Sequence, residues 1–278
     1  MNKHPSTEEL KKLAWQIRRD ILIMLEKAGS GHPGGSLSAV EIMIGLYYYK
    51  LRHDPENPGW PDRDRFVLSK GHCCPVLYTI LAYRGFFPKE ELLTFRKLGS
   101  RLQGHAYRGV PGVEASSGSL GQGLSIANGM ALAAKADKRD TRVYCLMGDG
   151  EMDEGQIWEA AMASSFHRLD NLCGIVDRNK VQQNGPTKII KDLEPVAEKW
   201  RACGWKVMEI DGHDPLQVLK AYDEAESTKG QPAVVLANTL KGKGVSFMEG
   251  NHQWHGKAPN KAELEAALKE LDAAQGVK

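Results

Sequence analysis

Two oxygen-bearing residues stand a fixed distance apart. Asp149 lies in Gly148-Asp149-Gly150, and thirty residues later Asn179 closes Leu172-Cys173-Gly174-Ile175-Val176-Asp177-Arg178-Asn179. One offers an anionic oxygen and the other a neutral one. A small set of oxygen donors suits Mg²⁺ that also grips a phosphate-bearing molecule. Gly150 permits close backbone approach, and its N–H at the opening of the next helix would face an anion. An ordinary glycine turn with a capping aspartate would look the same. Imidazoles form a second set. His32 lies in Gly29-Ser30-Gly31-His32-Pro33-Gly34-Gly35-Ser36, His72 follows Lys70-Gly71, His105 follows Gly104, and His252 and His255 share Asn251-His252-Gln253-Trp254-His255-Gly256. Such side chains exchange protons near neutral pH. A third feature is Ser116-Ser117-Gly118-Ser119-Leu120-Gly121-Gln122-Gly123. Its glycines suit either a flat ring or diphosphate against the backbone, or close helix packing, and their spacing is not the dinucleotide fingerprint. His252 and His255 have zinc-like spacing but no cysteine or second cluster beside them, so no structural zinc is expected. A Gly-Lys-Ser/Thr loop is absent, which excludes a nucleotide hydrolase of that type.

The elements that must position these residues follow from periodicity. Residues 143–147 form a short apolar run, and so do residues 172–176. The unit therefore reads as strand, glycine turn, helix, strand, with one crossover helix between parallel strands. Asp149 and Asn179 then sit at the carboxyl ends of strands, where such sheets bind ligands. Ser6 or Thr7 caps a first helix, with Glu9 close behind and Leu10, Leu13, Ile17, Ile21 and Met24 at helical spacing. That helix stops near Gly29. Residues 29–36 read as a tight loop that fixes His32, and a second helix runs from Ser38 to Tyr49. Residues 65–68 read as a strand ending at Lys70-Gly71-His72, with a helix opening at Pro75. Residues 91–98, 126–136, 194–203 and 261–271 read as helices, and 205–210 and 233–238 as strands. Asp214 before Pro215 marks another helix start. Residues 99–114 lack periodicity, and a loop of that length is usually functional. The fold class is α/β: a mostly parallel sheet flanked by helices on both faces, in a single domain over residues 1–278.

Composition narrows the function classes. A chain of 278 residues supports one large domain, and 41% hydrophobic with 26% charged residues excludes global disorder. A net charge of +2 gives no general attraction to nucleic acid or an anionic membrane. No apolar run reaches membrane-spanning length, and the polar residues 1–10 lack a signal region. The five cysteines, Cys73, Cys74, Cys145, Cys173 and Cys203, form no CxxC pair. Free thiols in a reducing cytoplasm are expected.

Gly-Asp-Gly with a later Asn resembles the thiamine diphosphate signature. Taken together, Ser30-Gly31-His32-Pro33-Gly34, Lys70-Gly71-His72, Gly104-His105, Gly118-Ser119-Leu120-Gly121-Gln122-Gly123, Gly148-Asp149-Gly150 with Asn179, and His255-Gly256 resemble the first, diphosphate-binding half of transketolase. The resemblance spans Gly29 to Gly256 and implies residue roles. Asp149, Asn179 and the main-chain carbonyl of Val181 match the ligands of a metal, Mg²⁺ or else Ca²⁺ or Mn²⁺. Gly150 matches a donor to the diphosphate. His72, Gly118, Ser119 and Leu120 match positions that contact thiamine diphosphate, and so does His255. Glu154 matches a carboxylate near the cofactor that communicates across a dimer. His32, His105 and His255 match imidazoles facing the sugar. Two departures stand out: the family often has Pro where Ser119 stands, and the stretch from His105 to Gly118 is one residue shorter than in common members.

The activity implied is transfer of a two-carbon ketol unit between sugar phosphates. A split transketolase specialised for a modified sugar, a 2-oxo acid dehydrogenase α chain and the first part of a deoxyxylulose-phosphate synthase share the cofactor. The Ser30-to-Gly34 loop and His255-Gly256 favour transketolase over the last two. A non-catalytic cofactor-binding or regulatory module would be expected to lack Asp149 or Asn179. In the family a glutamate from a second, pyrimidine-binding domain activates the cofactor, and no glutamate here matches it. The resemblance therefore implies a partner chain carrying the C-terminal part, self-association across a dimer interface, sugar phosphate substrates, and no nucleic acid or membrane partner.

Overall fold

A computed structural model describes residues 6–276; the polar residues 1–5 and Val277 and Lys278 at the end of the tail lie outside the described residues. Five strands form one sheet: β1 (Arg65–Leu68), β2 (Val143–Gly148), β3 (Leu172–Arg178), β4 (Lys206–Asp211) and β5 (Ala233–Asn238). Their order is β1-β2-β3-β5-β4, and every pairing is parallel. Parallel strands are buried on both faces and so read as continuous apolar runs. Val143 to Met147 are all buried, as are Leu172 to Val176.

Among the described residues ten α-helices surround the sheet: α1 (Thr7–Ala28), α2 (Pro33–Ser38), α3 (Val40–Gly45), α4 (Cys74–Tyr83), α5 (Gln122–Ala136), α6 (Gly155–Phe166), α7 (Thr187–Ile190), α8 (Val196–Ala202), α9 (Pro215–Ser227) and α10 (Lys261–Gln275). They cover both faces. Tyr144 and Leu146 of β2 pack into a core with α1, α3, α4 and α9. Their neighbours Val143, Cys145 and Met147 face a second core built from α5, α6 and α8. That alternation is the two-residue strand period carried across a two-sided sheet. Among the described residues no helix is long and apolar enough to cross a membrane.

Local chemistry sets the boundaries. Ser6 and Glu9 form a full capping box on α1, and Gly29 ends it in the left-handed region at φ 65°. Asp214 caps α9 by accepting from the Leu216 and Gln217 N–H groups, with Pro215 as its first residue. Four expectations are corrected. The tight loop of residues 29–36 is helical from Pro33, because proline pre-sets the first turn of α2. The helix of residues 91–98 is a 3₁₀ segment over Lys89–Thr94; Phe95 leaves the helical region at ψ 129° and Arg96 turns left-handed at φ 58°. The helix after β2 opens at Gly155, after a 3₁₀ turn over Gly150–Asp153. The small-residue helix begins at Gln122, four residues before Ile126.

Candidate functional site

The carboxyl ends of β1, β2, β3 and β5 and the loops after them surround a cleft of about 380 Å³. Beneath its lining, as the floor on which Lys70 and Asn179 rest, lies one buried carboxylate. Asp177, at the end of β3, is 0% exposed and pairs with the Lys70 ammonium, itself 2% exposed. The Ser38 hydroxyl donates to Asp177 Oδ2 at 2.6 Å, the Asn179 amide donates at 3.1 Å, and Thr239 donates to Oδ1. Lys70 also donates to the Gly35 carbonyl at 3.0 Å. Burial alone would raise the Asp177 pKa, but Lys70 and these donors hold it below the ordinary carboxylate value. Burial likewise opposes the charge on Lys70, and Asp177 overrides it, so the lysine stays protonated.

Beside this floor lie the three oxygen donors expected from the sequence. Asp149 is 5% exposed. Its Oδ1 accepts from the Gly150 N–H at 2.7 Å and its Oδ2 from the Lys180 N–H. Burial, then the charge on Asp177, pushes its pKa up to about 6. Asn179 Oδ1 accepts from the Val181 N–H at 3.1 Å. The Val181 carbonyl accepts from Lys241 Nζ at 3.0 Å, and the same ammonium reaches the Gln182 carbonyl at 3.2 Å. Gly150 therefore spends its N–H on Asp149 rather than presenting it freely to the cleft.

Four imidazoles form the opposite rim, centred on His32. Ring centroids lie 5.2 Å from His32 to His72, 5.9 Å to His105 and 5.4 Å to His255. His72 and His255 are 5.0 Å apart. Lys241 Nζ lies 2.9 Å from His255 Nδ1. An ammonium only donates, so Nδ1 accepts and the His255 proton sits on Nε2. Burial lowers the His255 pKa to about 3, with Lys241 adding to it. His32 falls to about 4 through burial and the Arg96 guanidinium, and its Nδ1 is buried without a partner. Burial and Lys70 depress His72, while burial and Arg96 depress His105. The rim is thus a set of neutral imidazoles, in which His32 keeps an unpartnered Nδ1 and His255 presents an Nε2–H donor. Burial also lowers Lys241, to about 8.

The cleft unites His32, His72, His105, Gly118, Leu120, Asp149, Gly150, Asn179, Val181 and His255. It does not include Ser119 or Glu154. Both are exposed; Glu154 precedes α6, and Ser119 stands at the crest of the glycine turn. His252 is exposed as well, and among the described residues no group of three or more His, Cys, Asp or Glu could hold a metal ion. Asp177, Lys241 and the role of Lys70 emerge only from the structure. Asp177 does carry a signal in the sequence: a carboxylate inside a buried apolar strand requires a partner. Lys241 carries none, because its loop looks like any polar connection.

The family model for the transketolase thiamine diphosphate binding domain matches residues 10–275. The chain belongs to the transketolase family. Its fold is that of solved transketolases: it superposes on the Campylobacter jejuni enzyme with a TM-score of 0.90 at 35% identity, covering 97% of this chain and 43% of that one. Two relatives are of similar length. One is the 6-deoxy-6-sulfo-D-fructose transketolase subunit SqwG of a Clostridium strain, 46% identical over 95% of this chain and 96% of its own. The other is an apulose-4-phosphate transketolase subunit of Phocaeicola vulgatus, 42% identical over 95% and 94%. Human transketolase is 40% identical over 95% of this chain, which spans only 42% of that protein.

This transketolase domain fits its cofactor, thiamine diphosphate. The cleft offers an unpartnered buried imidazole nitrogen, and two of its lining glycines stand where a side chain would collide. A Cβ on Gly35 would lie 2.6 Å from Cys73 Sγ, and one on Gly150 would lie 2.8 Å from Gln182 Cγ. Buried Lys241, with no carboxylate in its hydrogen bonds, supplies positive charge for an anionic group.

Proposed function

We propose that this chain is the thiamine diphosphate-binding subunit of a two-chain transketolase that moves a two-carbon ketol unit from a ketose to an aldose. The convergence of the Asp149, Asn179 and Val181 oxygens with four neutral imidazoles in one cleft carries the reading. Asp149, Asn179 and the Val181 carbonyl hold a divalent ion, Mg²⁺ by preference for few oxygen donors, with Ca²⁺ or Mn²⁺ as substitutes. Gly150, His72, Gly118 and Leu120, which line the cleft, bound the cofactor; the exposed Ser119 and Glu154 lie outside it and are left for contacts in the assembled dimer.

Thiamine diphosphate, when bound, supplies the carbanion chemistry that breaks the ketose carbon–carbon bond. The protein binds, orients and moves protons. His32 and His105 receive the proton of a substrate hydroxyl, and their neutral state leaves them free to take it. His255, with its Nε2 proton fixed by Lys241, donates to an oxygen that gains charge. Lys241, whose ammonium has carbonyl and imidazole partners rather than a carboxylate, offsets negative charge of the diphosphate.

A partner chain supplies the activating glutamate and the pyrimidine-binding domain, in a complex of two copies with two copies. Two relatives named as transketolase subunits, each matched along nearly its whole length, support the existence of a partner chain. The names of the same relatives support a specialised ketose as substrate. Cysteines that are all free fit a cytoplasmic location. The test is reconstitution. The purified chain with thiamine diphosphate and Mg²⁺ is expected to show no ketol transfer until the partner is added, and chelation with EDTA is expected to abolish the restored activity. Robust turnover by the chain alone would refute the two-chain reading.

A further inference from the structure

Glu151 lines the cleft, is 3% exposed and has no role in the function proposed above. Its carboxylate joins segments that leave different strands. Oε2 accepts from the Gly148 N–H at 2.9 Å, where β2 enters the Asp149 turn. Oε1 accepts from the Gly121 N–H at 2.8 Å, ahead of α5, and from the Ser69 hydroxyl at the end of β1. Ser69 Oγ in turn accepts from the Gly123 N–H at 3.1 Å. The turn is tight enough that a Cβ on Gly123 would lie 2.3 Å from Ser69 Cβ, and Gly121 is left-handed at φ 89°. Neither glycine has a side chain to anchor it, so polar partners must fix the turn.

A negative charge beside a cleft that receives a diphosphate is electrostatically adverse. Its use must lie elsewhere than in direct contact with that group. We propose that Glu151 is a positioning residue that locks the 118–123 turn and the 148–150 turn at a fixed spacing, so that the cofactor meets a preformed cradle. This rests on the cofactor reading above and adds a residue to it. The carboxylate is the one common side chain of this length that accepts on both oxygens. A glutamine in its place keeps one acceptor and turns an N–H₂ group onto a backbone donor, leaving a buried donor unpaired.

The test uses Glu151→Gln in the full chain assembled with its partner. Calorimetric affinity for thiamine diphosphate at fixed Mg²⁺ is measured beside kcat at saturating cofactor and the melting temperature. The expected result is a cofactor affinity weaker by about tenfold, with kcat at saturation within about twofold of the parent. Ser69→Ala, which leaves both glycine N–H bonds to Glu151 in place, should act in the same direction by about threefold, and it decides the matter if the glutamine variant fails to fold. Unchanged affinity with a lowered melting temperature overturns the proposal in favour of a purely structural role. Unchanged affinity with a collapsed kcat overturns it in favour of direct chemistry. If the parent protein itself fails to bind thiamine diphosphate, the cofactor reading falls and takes this inference with it; a defect confined to the variants leaves that reading untouched.

Discussion

The floor and the rim of one cleft are built on opposite rules. On the floor, Asp177 uses both oxygens and pairs with Lys70, Ser38, Asn179 and Thr239. Its charge is paired and buried. On the rim, His32 keeps a buried nitrogen without a partner, and the imidazoles around it are held neutral by burial and nearby cations. A satisfied buried network rigidifies, while an unsatisfied one costs stability unless a ligand completes it. The difference separates what holds the site from what the site uses.

The sharpest way to break that division is to unpair the floor. Asp177→Ala leaves the Lys70 ammonium buried without its counter-charge. Breaking such a pair costs about 3–5 kcal/mol, which lowers the melting temperature of a protein this size by roughly 10 °C. Removing both charges while keeping acceptor oxygen for Ser38 and Thr239, Lys70→Met with Asp177→Asn, should recover part of that loss. Calorimetric melting of the single and double variants decides it. A single variant that melts with the parent would show that the floor does not carry stability.

The sequence makes the rim legible and the floor nearly invisible. His32, His72, His105 and His255 stand in glycine-rich loops, and loops at carboxyl strand ends are where such a sheet binds ligands. Their convergence on one cleft follows from the parallel strands that the apolar runs at residues 143–147 and 172–176 announce. Asp177 directly follows one of those runs, where burial hides a charge from any periodicity argument. Lys241 approaches from a loop after the last strand, about sixty residues from the carbonyls it contacts. Long-range partners of that kind are set by tertiary packing. At Pro33 the density of glycines suggests a loop, yet proline at the first helical position outweighs it.

A second experiment sharpens the comparison from the rim. His32→Ala removes a ring that contacts three other imidazoles but has no partner for one nitrogen. In the reconstituted enzyme kcat should fall by about 100-fold, while the melting temperature moves by no more than ~2 °C. Steady-state kinetics and thermal melting on the same preparation give both numbers. A variant that unfolds with its activity would place His32 among the structural groups.

The smallest effect concerns acid. His32 has a pKa near 6.5 in the unfolded chain and about 4 in the fold, lowered by burial, Arg96, His105 and Lys241. Between those values the unfolded state binds more protons than the native one. Stability therefore falls as the pH drops from 6.5 towards 4 and levels off below, where both states are protonated. His72 and His255 face the same ring and shift in the same direction. Removing one of these groups should flatten the slope without abolishing it. With His32 partly open to solvent, its share at pH 5 is discounted to roughly 1 kcal/mol, or about 2–3 °C in melting temperature. His32→Gln should thus lose less melting temperature than the parent between pH 7 and pH 5. Equal losses in the two proteins would mean that His32 is not held neutral by the fold, and the contrast between floor and rim would then rest on hydrogen bonding alone.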